Sequence, residues 1–362
     1  MKTQYAKEAL KNFQIEGEAV ECSPYGNGHI NDTYLVVSTT GRRYILQRIN
    51  TTIFANPEGV ISNIQKVTTF LREKIVQAGG DPDRETLNLI PTLDNAPFHQ
   101  DETGFYRLFL FIEDSVSVDQ VRSVEDFYQS AVSFGHFQSM LADFPAEQLV
   151  ETIPGFHDTR KRFERFCQVV AEDKLGRADS VREEIQFVLD REDLAGEQMN
   201  LLNSGKLPLR VTHNDTKLNN IMLDSKTGKG ICVIDLDTVM PGLAANDFGD
   251  SIRFGASTAV EDEKDLSKVS CSMELFDAYA KGFLEGCDGR LTEAEVKLLP
   301  LGAKTMTFEC GMRFLTDYLE GDVYFKVHRD GHNLDRCRTQ FKLVKDMEEK
   351  WDQMMSIVEK YC

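Results

Sequence analysis

The residues able to do chemistry concentrate in two neighbouring stretches. LRVTHNDTKLNNIMLD (209–224) sets His213, Asp215 and Asn220 in series, and GKGICVIDLDTVMPG (228–242) ends an apolar strand on Asp235 and Asp237. A carboxylate and an amide five residues apart on a loop can converge with a second carboxylate from a strand end. Together they offer oxygen ligands for Mg²⁺ and an acceptor for a substrate hydroxyl. That arrangement points to phosphoryl transfer, which asks a protein for positioning and charge neutralisation rather than covalent chemistry. His213, two residues after the apolar Val211, is placed to brace the loop rather than to act as base. A turn rich in Asn and Asp would share the spacing, but the flanking strands IMLD and VIDLD at this distance argue against coincidence. Asp237 is open between a metal or substrate role and satisfying its own turn. Residues 247–249 spell Asp-Phe-Gly, yet they stand too far past Asp215 and do not end a strand, so the string is not assigned to a metal.

Positioning these groups requires a sheet-rich beginning and a helical remainder. Strand patterns occupy 18–22, 33–38, 43–49, about 87–92 and 105–112, with a helix over 57–77. Gly26-Asn27-Gly28 lies between the first two strands, where a glycine hairpin approaches phosphates or simply turns. Gln47 and Arg48 alternate faces, so only one can point at a ligand there. From Ser123, which resembles a cap three residues before Asp126, the period becomes helical. Helices are expected over 181–203, 270–284, 293–320 and 335–360, with short strands and turns over 206–240. The fold class is α+β, in two lobes: a small antiparallel-sheet lobe (1–112) and a larger, mainly helical lobe (113–362).

Composition narrows the function classes. The 362 residues carry 41 Lys+Arg against 59 Asp+Glu, a net charge of −18, which argues against a nucleic-acid or anionic-membrane surface. At 41% hydrophobic and 28% charged residues, the chain has the material for a real core. No apolar window reaches the length of a membrane span, and the N-terminus reads as a short amphipathic helix rather than a signal peptide. Eight cysteines without a Cys-x-x-Cys pair suggest reduced thiols and a cytoplasmic setting.

The His-x-Asp-x₄-Asn loop followed by VIDLD resembles the catalytic core of the aminoglycoside/choline kinase-like phosphotransferases, relatives of the protein kinases. The resemblance implies a two-lobed protein-kinase-like fold, ATP and Mg²⁺, Asp215 as the residue that orients or deprotonates the acceptor hydroxyl, Asn220 and Asp235 on the metal, and Asp247 as a structural residue capping the helix after the Pro-Gly turn. It also implies that Gly26, Asn27, Gly28 and Gln47 face the nucleotide and that the backbone of Phe111, Ile112 and Glu113 in FLFIED serves the adenine. The lysine that such kinases carry on the third strand is absent. PYGNGHINDTYLV, RYILQRINT, DFGDSIRFGAST, ECGMRFL and DYLEGDVYF resemble the N-acetylhexosamine 1-kinases within that superfamily. Those enzymes phosphorylate the anomeric hydroxyl of N-acetylglucosamine and N-acetylgalactosamine, so the implied partner is a small amido-sugar, with neither nucleic acid nor membrane. A neutral amido-sugar needs planar hydrogen-bond partners and an apolar face. The candidates are His29, Phe254, Arg313 and Tyr324, beside Asp215 and Asp235. Arg313 has an alternative partner in Asp317 one turn on. The alternatives to this reading are a kinase of the same fold for a hexose, amino alcohol or aminoglycoside, and a nucleotide-binding pseudokinase.

Overall fold

The structure, a computed structural model, describes residues 2–26 and 30–361. The chain divides into two compact units, each built from three segments: Met1–Ser117, Asp143–Pro154 and Ile221–Met240 in one, Val118–Ala142, Gly155–Asn220 and Pro241–Cys362 in the other.

The first unit opens with helix α1 (Lys2–Leu10), then strands β1 (Ala19–Pro24), β2 (Asp32–Ser38) and β3 (Arg43–Arg48). Alternation decides which face of these strands is covered. Tyr34, Val36, Tyr44 and Leu46 turn to one side and pack with Ala6, Ala9 and Leu10 of α1. Helix α2 (Pro57–Gln77) begins where expected, because Asn56 Oδ1 accepts the Gly59 N–H at 2.9 Å and Pro57 suits the first turn. It buries Val60, Ile64, Val67, Leu71 and Ile75 at helical spacing. Strands β4 (Leu89–Ile90), β5 (His99–Asp101) and β6 (Gly104–Leu110) complete an antiparallel sheet of order β1-β2-β3-β6-β4, with β5 hairpinned onto β6. A short β7 (Ser115–Val116) follows.

The second unit supplies helices α3 (Val124–Met140), α4 (Thr159–Glu172), α5 (Arg182–Leu189) and α6 (Glu192–Asn203), then strand β8 (Arg210–Thr212). Ser123 Oγ accepts the Asp126 N–H at the head of α3, as the sequence suggested. Strands β9 (Ile221–Asp224) and β10 (Gly230–Val233) return to the first unit, where β9 pairs with β7 and Asp224 meets Arg84 at 2.6 Å. After β11 (Met240–Gly242), the chain runs through α7 (Ala244–Gly255), α8 (Met273–Cys287), α9 (Glu293–Glu320), α10 (His332–Glu349) and α11 (Trp351–Glu359). The core of this unit gathers Phe166 and Val169 of α4, Val188 of α5, Phe308, Met312 and Leu315 of α9, and Phe341 and Val344 of α10. Helices α7 and α9 cross at Gly249 and Gly302, where a Cβ on Gly302 would stand 2.1 Å from the Ala245 carbonyl oxygen. Helix α9 starts on a reciprocal Thr292/Glu295 capping box.

The antiparallel N-terminal sheet and the helical C-terminal region are both present. Two expected helices are broken, for tertiary reasons. The span 181–203 parts at Arg191, whose guanidinium donates to the Phe187 carbonyl at 3.0 Å and pairs with Glu348 at 2.8 Å. The span 335–360 starts earlier and parts at Lys350, whose ammonium donates to Ser270 Oγ, the Cys271 carbonyl and Asp346 within 2.9 Å. No helix among the described residues is long and apolar enough to cross a membrane.

Candidate active site

The Asp215 loop belongs to the helical unit and is held from several sides. Arg210 on β8 pairs with Glu295 (2.7 Å between Nη2 and Oε2) and donates to the Arg290 carbonyl, anchoring the strand that leads into it. His213 is fully buried, edge-on to Phe134 at 5.5 Å, and its Nδ1 accepts the Asp215 N–H at 3.3 Å. It braces the loop, as its position two residues after Val211 suggested. Asn214 takes a left-handed conformation (φ 63°), which short polar side chains tolerate. Asp247 corrects an expectation. It lies inside α7 and caps no helix: its carboxylate accepts the N–H groups of His213 (2.9 Å) and Asn214 (2.8 Å) and the Gln138 amide (2.7 Å). The residue is structural, but what it holds is the Asp215 loop. Complete burial pushes its carboxyl pKa up, against the downward pull of His213 and the donated hydrogen bonds.

Asp215 itself is partly exposed. Its Oδ1 meets Lys217 Nζ at 2.7 Å, and Asn220 Nδ2 donates to its backbone carbonyl at 2.8 Å and to Oδ2 at 3.3 Å. Burial would lower the Lys217 pKa, but the charges of Asp215 and Asp250 outweigh it and hold the ammonium above its ordinary value. Sequence reasoning passed over Lys217, although it stands only two residues after the acid.

The sheet unit presents the other candidates. Asp235 is exposed and left-handed (φ 59°, ψ 54°), and it leads into a 3₁₀ turn over Leu236–Thr238. Asp237, open in the sequence, is buried and forms an ion pair with the buried Arg107, while Asn31 donates to its other oxygen at 2.7 Å. Arg107 lies opposite Gln47 in the β3–β6 register, and its Nε and Nη2 donate to Gln47 Oε1 at 2.9 and 2.7 Å. Arg48 turns the other way, to the Thr103 carbonyl and Asp32. The internal cation of this sheet therefore comes from β6 and not from β3. Only strand register could have revealed Arg107. In FLFIED, the Phe111 N–H donates to the Arg43 carbonyl, the Ile112 carbonyl accepts from Ser115, and the Glu113 side chain pairs with Arg43. Gly26 is left-handed (φ 74°); Asn27, Gly28 and His29 lie outside the described residues.

The acceptor candidates of the helical unit meet in part. The Arg313 guanidinium lies 5.6, 5.8 and 5.4 Å from the ring centres of Phe156, Tyr324 and Phe325. Asp317 is not its partner: that carboxylate accepts the N–H groups of Val323, Tyr324 and Phe325 and the Asn333 amide, and so shapes the loop carrying Tyr324. Beneath, a buried Glu309 joins His157 (2.9 Å) and Thr159 (2.6 Å). Phe254 lies near the end of α7 and is about one-third exposed.

The model of the phosphotransferase enzyme family matches residues 21–283, about three-quarters of the chain. The chain belongs to this family. Solved structures share the fold of this phosphotransferase over nearly its full length. One is a choline kinase from Cryptosporidium parvum (14% identity, 99% of this chain and 98% of that one, TM-score 0.60). Another is a microcompartment-associated aminopropanol kinase (14%, 97% and 98%, 0.61). A third is an amicoumacin kinase in complex with AMP-PNP, Ca²⁺ and Ami (12%, 96% and 93%, 0.61).

Within the helical unit the Asn220 side-chain nitrogen is committed to the Asp215 loop, and within the sheet unit Asp235 is exposed; each side chain carries an oxygen of the hard type that divalent cations take. Among the described residues no cluster of three or more His, Cys, Asp or Glu forms a metal cage. Mg²⁺ typically takes one or two protein oxygens and completes its shell with substrate phosphates and water, so it needs no such cage.

Proposed function

We propose that this phosphotransferase moves the γ-phosphoryl group of ATP to the C1 hydroxyl of an N-acetylhexosamine, giving the sugar 1-phosphate and ADP. The observation that carries the reading is the Asp215 set: a partly exposed carboxylate, steadied by Lys217 on one oxygen and by Asn220 on the other. Asp215 accepts a hydrogen bond from the C1 hydroxyl and then its proton, as O1 attacks the γ-phosphorus and the bond to the β–γ bridging oxygen breaks. Asn220 and Asp235 would hold Mg²⁺, which would supply charge neutralisation at the phosphates. Residues 1–112 supply the nucleotide contacts, with Gly26, Asn27, Gly28 and Gln47 at the phosphates and Phe111, Ile112 and Glu113 at the base. Residues 113–362 supply the catalytic loop and the sugar contacts other than His29. The AMP-PNP and Ca²⁺ held by the amicoumacin kinase support a nucleoside triphosphate and a divalent ion.

The choice of acceptor rests on Arg313 as well as on the sequence segments it belongs to. A quaternary ammonium would need open aromatic faces, and in this chain a guanidinium already lies against Phe156, Tyr324 and Phe325. The same cluster offers planar donors and ring faces to a neutral amido-sugar, with His29 and Phe254 as further contacts. The test is ADP release with Mg·ATP against N-acetylglucosamine, N-acetylgalactosamine, a hexose, choline, aminopropanol and an aminoglycoside. Turnover is expected with the amido-sugars; turnover confined to the amines or the plain hexose, or none at all, refutes the assignment.

A further inference from the structure

The polar ladder across the sheet of the first unit ends on the turn that presents Asp235. On the face away from α1, Gln47 Nε2 donates to Thr33 Oγ1 at 3.2 Å, and Gln47 Oε1 accepts both Nε and Nη2 of Arg107. The remaining Arg107 nitrogen, Nη1, meets Asp237, so the guanidinium of a residue only 1% exposed is shared between an amide and a carboxylate. Asn31 spans from Asp237 Oδ2 to the Asn50 N–H, donating to the first at 2.7 Å and accepting from the second at 2.9 Å. A second anchor holds the far side of the turn: Asn63 of α2 donates to the Val239 carbonyl at 2.9 Å and to the Val150 carbonyl at 2.7 Å.

A buried ion pair of this kind is weak evidence for stability, because desolvating both charges offsets much of their attraction. Its service is placement. Asp235 holds a left-handed conformation, which its short polar side chain tolerates. The two anchors grip the turn immediately after it, at Asp237 and Val239. We infer that Arg107, through Asp237, is the positioning residue for the metal-holding carboxylate of Asp235, so that the sheet cation of this phosphotransferase sets divalent-metal affinity rather than gripping the nucleotide phosphates. The inference rests on the proposed role of Asp235 as a metal ligand. A lysine on β3 would offer one point charge, whereas the planar fork of Arg107 serves Asp237 and Gln47 at once.

Calorimetric titration of the full chain with ATP, in EDTA and at a series of Mg²⁺ concentrations, tests this without any acceptor. Wild type should bind ATP more tightly as Mg²⁺ rises, and Asp235→Asn should abolish that gain. Partners behind a metal ligand are typically worth 10–100-fold in metal affinity, so Arg107→Gln and Asp237→Asn should each raise the Mg²⁺ concentration for the half-maximal effect by about tenfold or more. Gln47 keeps its Thr33 hydrogen bond in these variants, so ATP affinity in EDTA should change by less than about threefold, a shift well under 1.4 kcal/mol. Arg107→Lys should fall between wild type and Arg107→Gln. If a single variant does not fold for want of a counter-charge, the double variant Arg107→Met/Asp237→Leu removes both charges together and should show the same loss of Mg²⁺ response. A tenfold loss of affinity in EDTA with an unchanged Mg²⁺ response would make Arg107 a phosphate ligand and overturn the inference. Unchanged binding in every Arg107 and Asp237 variant would overturn it too. If Asp235→Asn keeps the full Mg²⁺ response, the role of Asp235 fails, and with it the reading on which the inference rests.

Discussion

Replacing Asp247 with Asn separates two meanings of the Asp-Phe-Gly string. The carboxylate takes three hydrogen bonds in the interior of the helical unit, two of them from the consecutive backbone N–H groups of His213 and Asn214. An amide has only one oxygen, so in either orientation at least one of those N–H groups loses the oxygen it now donates to and faces an NH₂ instead. A hydrogen bond to a charged group contributes about 1.5–3 kcal/mol, and stranding a buried donor costs about 1–3 kcal/mol more. The neutral amide recovers part of the burial penalty that raises the Asp247 pKa, so the net loss should be about 2–4 kcal/mol. In a unit of about 210 residues, where each kcal/mol moves the midpoint by about 2–4 °C, the melting temperature should fall by roughly 5–12 °C. Asp215 directly follows Asn214, so turnover should fall as well, while the Mg²⁺ concentration for half-maximal activity stays where it was. Circular dichroism melts and a Mg²⁺ titration of ADP release are the assays. An unchanged melt with a tenfold shift in Mg²⁺ dependence would refute the reasoning and make Asp247 a metal ligand.

Asp215→Asn should lower turnover by about three orders of magnitude or more, with ATP affinity by calorimetry within about twofold, because the group acts on the acceptor in the transition state. Gly302→Ala should cost about 1–3 kcal/mol or more in melting experiments, since its Cβ would strike the Ala245 carbonyl and neither helix backbone can give way locally. Stability should also carry an acid limb from Asp346. Burial pushes its carboxyl up, but Lys350, the Cys271 N–H and Ser270 outweigh this and hold it below its ordinary value. The folded pKa is the lower one, so its contribution is complete above the unfolded value of about 3.9 and is lost as pH falls below it. Asp346→Ala should flatten the pH dependence of the melting temperature in that acid range, and a slope equal to wild type would remove Asp346 from that role.

Features set by local pattern were legible before any coordinates. The helical pattern over 57–77 matches α2, Ser123 announced α3, and the helix expected over 293–320 matches α9 across its whole length. The chemistry of the Asp215 loop was legible for a similar reason: the residues lie within eight positions of one another. Distant pairs stayed hidden. Nothing near Arg107 in sequence points to Gln47, 60 residues before it, or to Asp237. The breaks at Arg191 and Lys350 depend on Glu348 and on the 270–271 segment, so a periodicity that continues through them misleads. Asp247 was recognised as structural but assigned the wrong object, because its partners lie more than 30 residues away.

The segmented make-up of the sheet unit bears on how the chain folds as it leaves the ribosome. Strand β9, which pairs with β7, and the turn that pairs with Arg107 belong to residues 221–240, although the six-stranded sheet is fully encoded by residue 110. At about 5–20 residues per second, synthesis must continue for roughly 6–25 s after residue 117 before that unit can close. During that interval Arg107 is an unpaired cation at a growing sheet, and the carboxylate that will neutralise it is still to be translated. A gene fragment ending near residue 117 should therefore fail to yield a well-folded nucleotide module, whatever the quality of its strands.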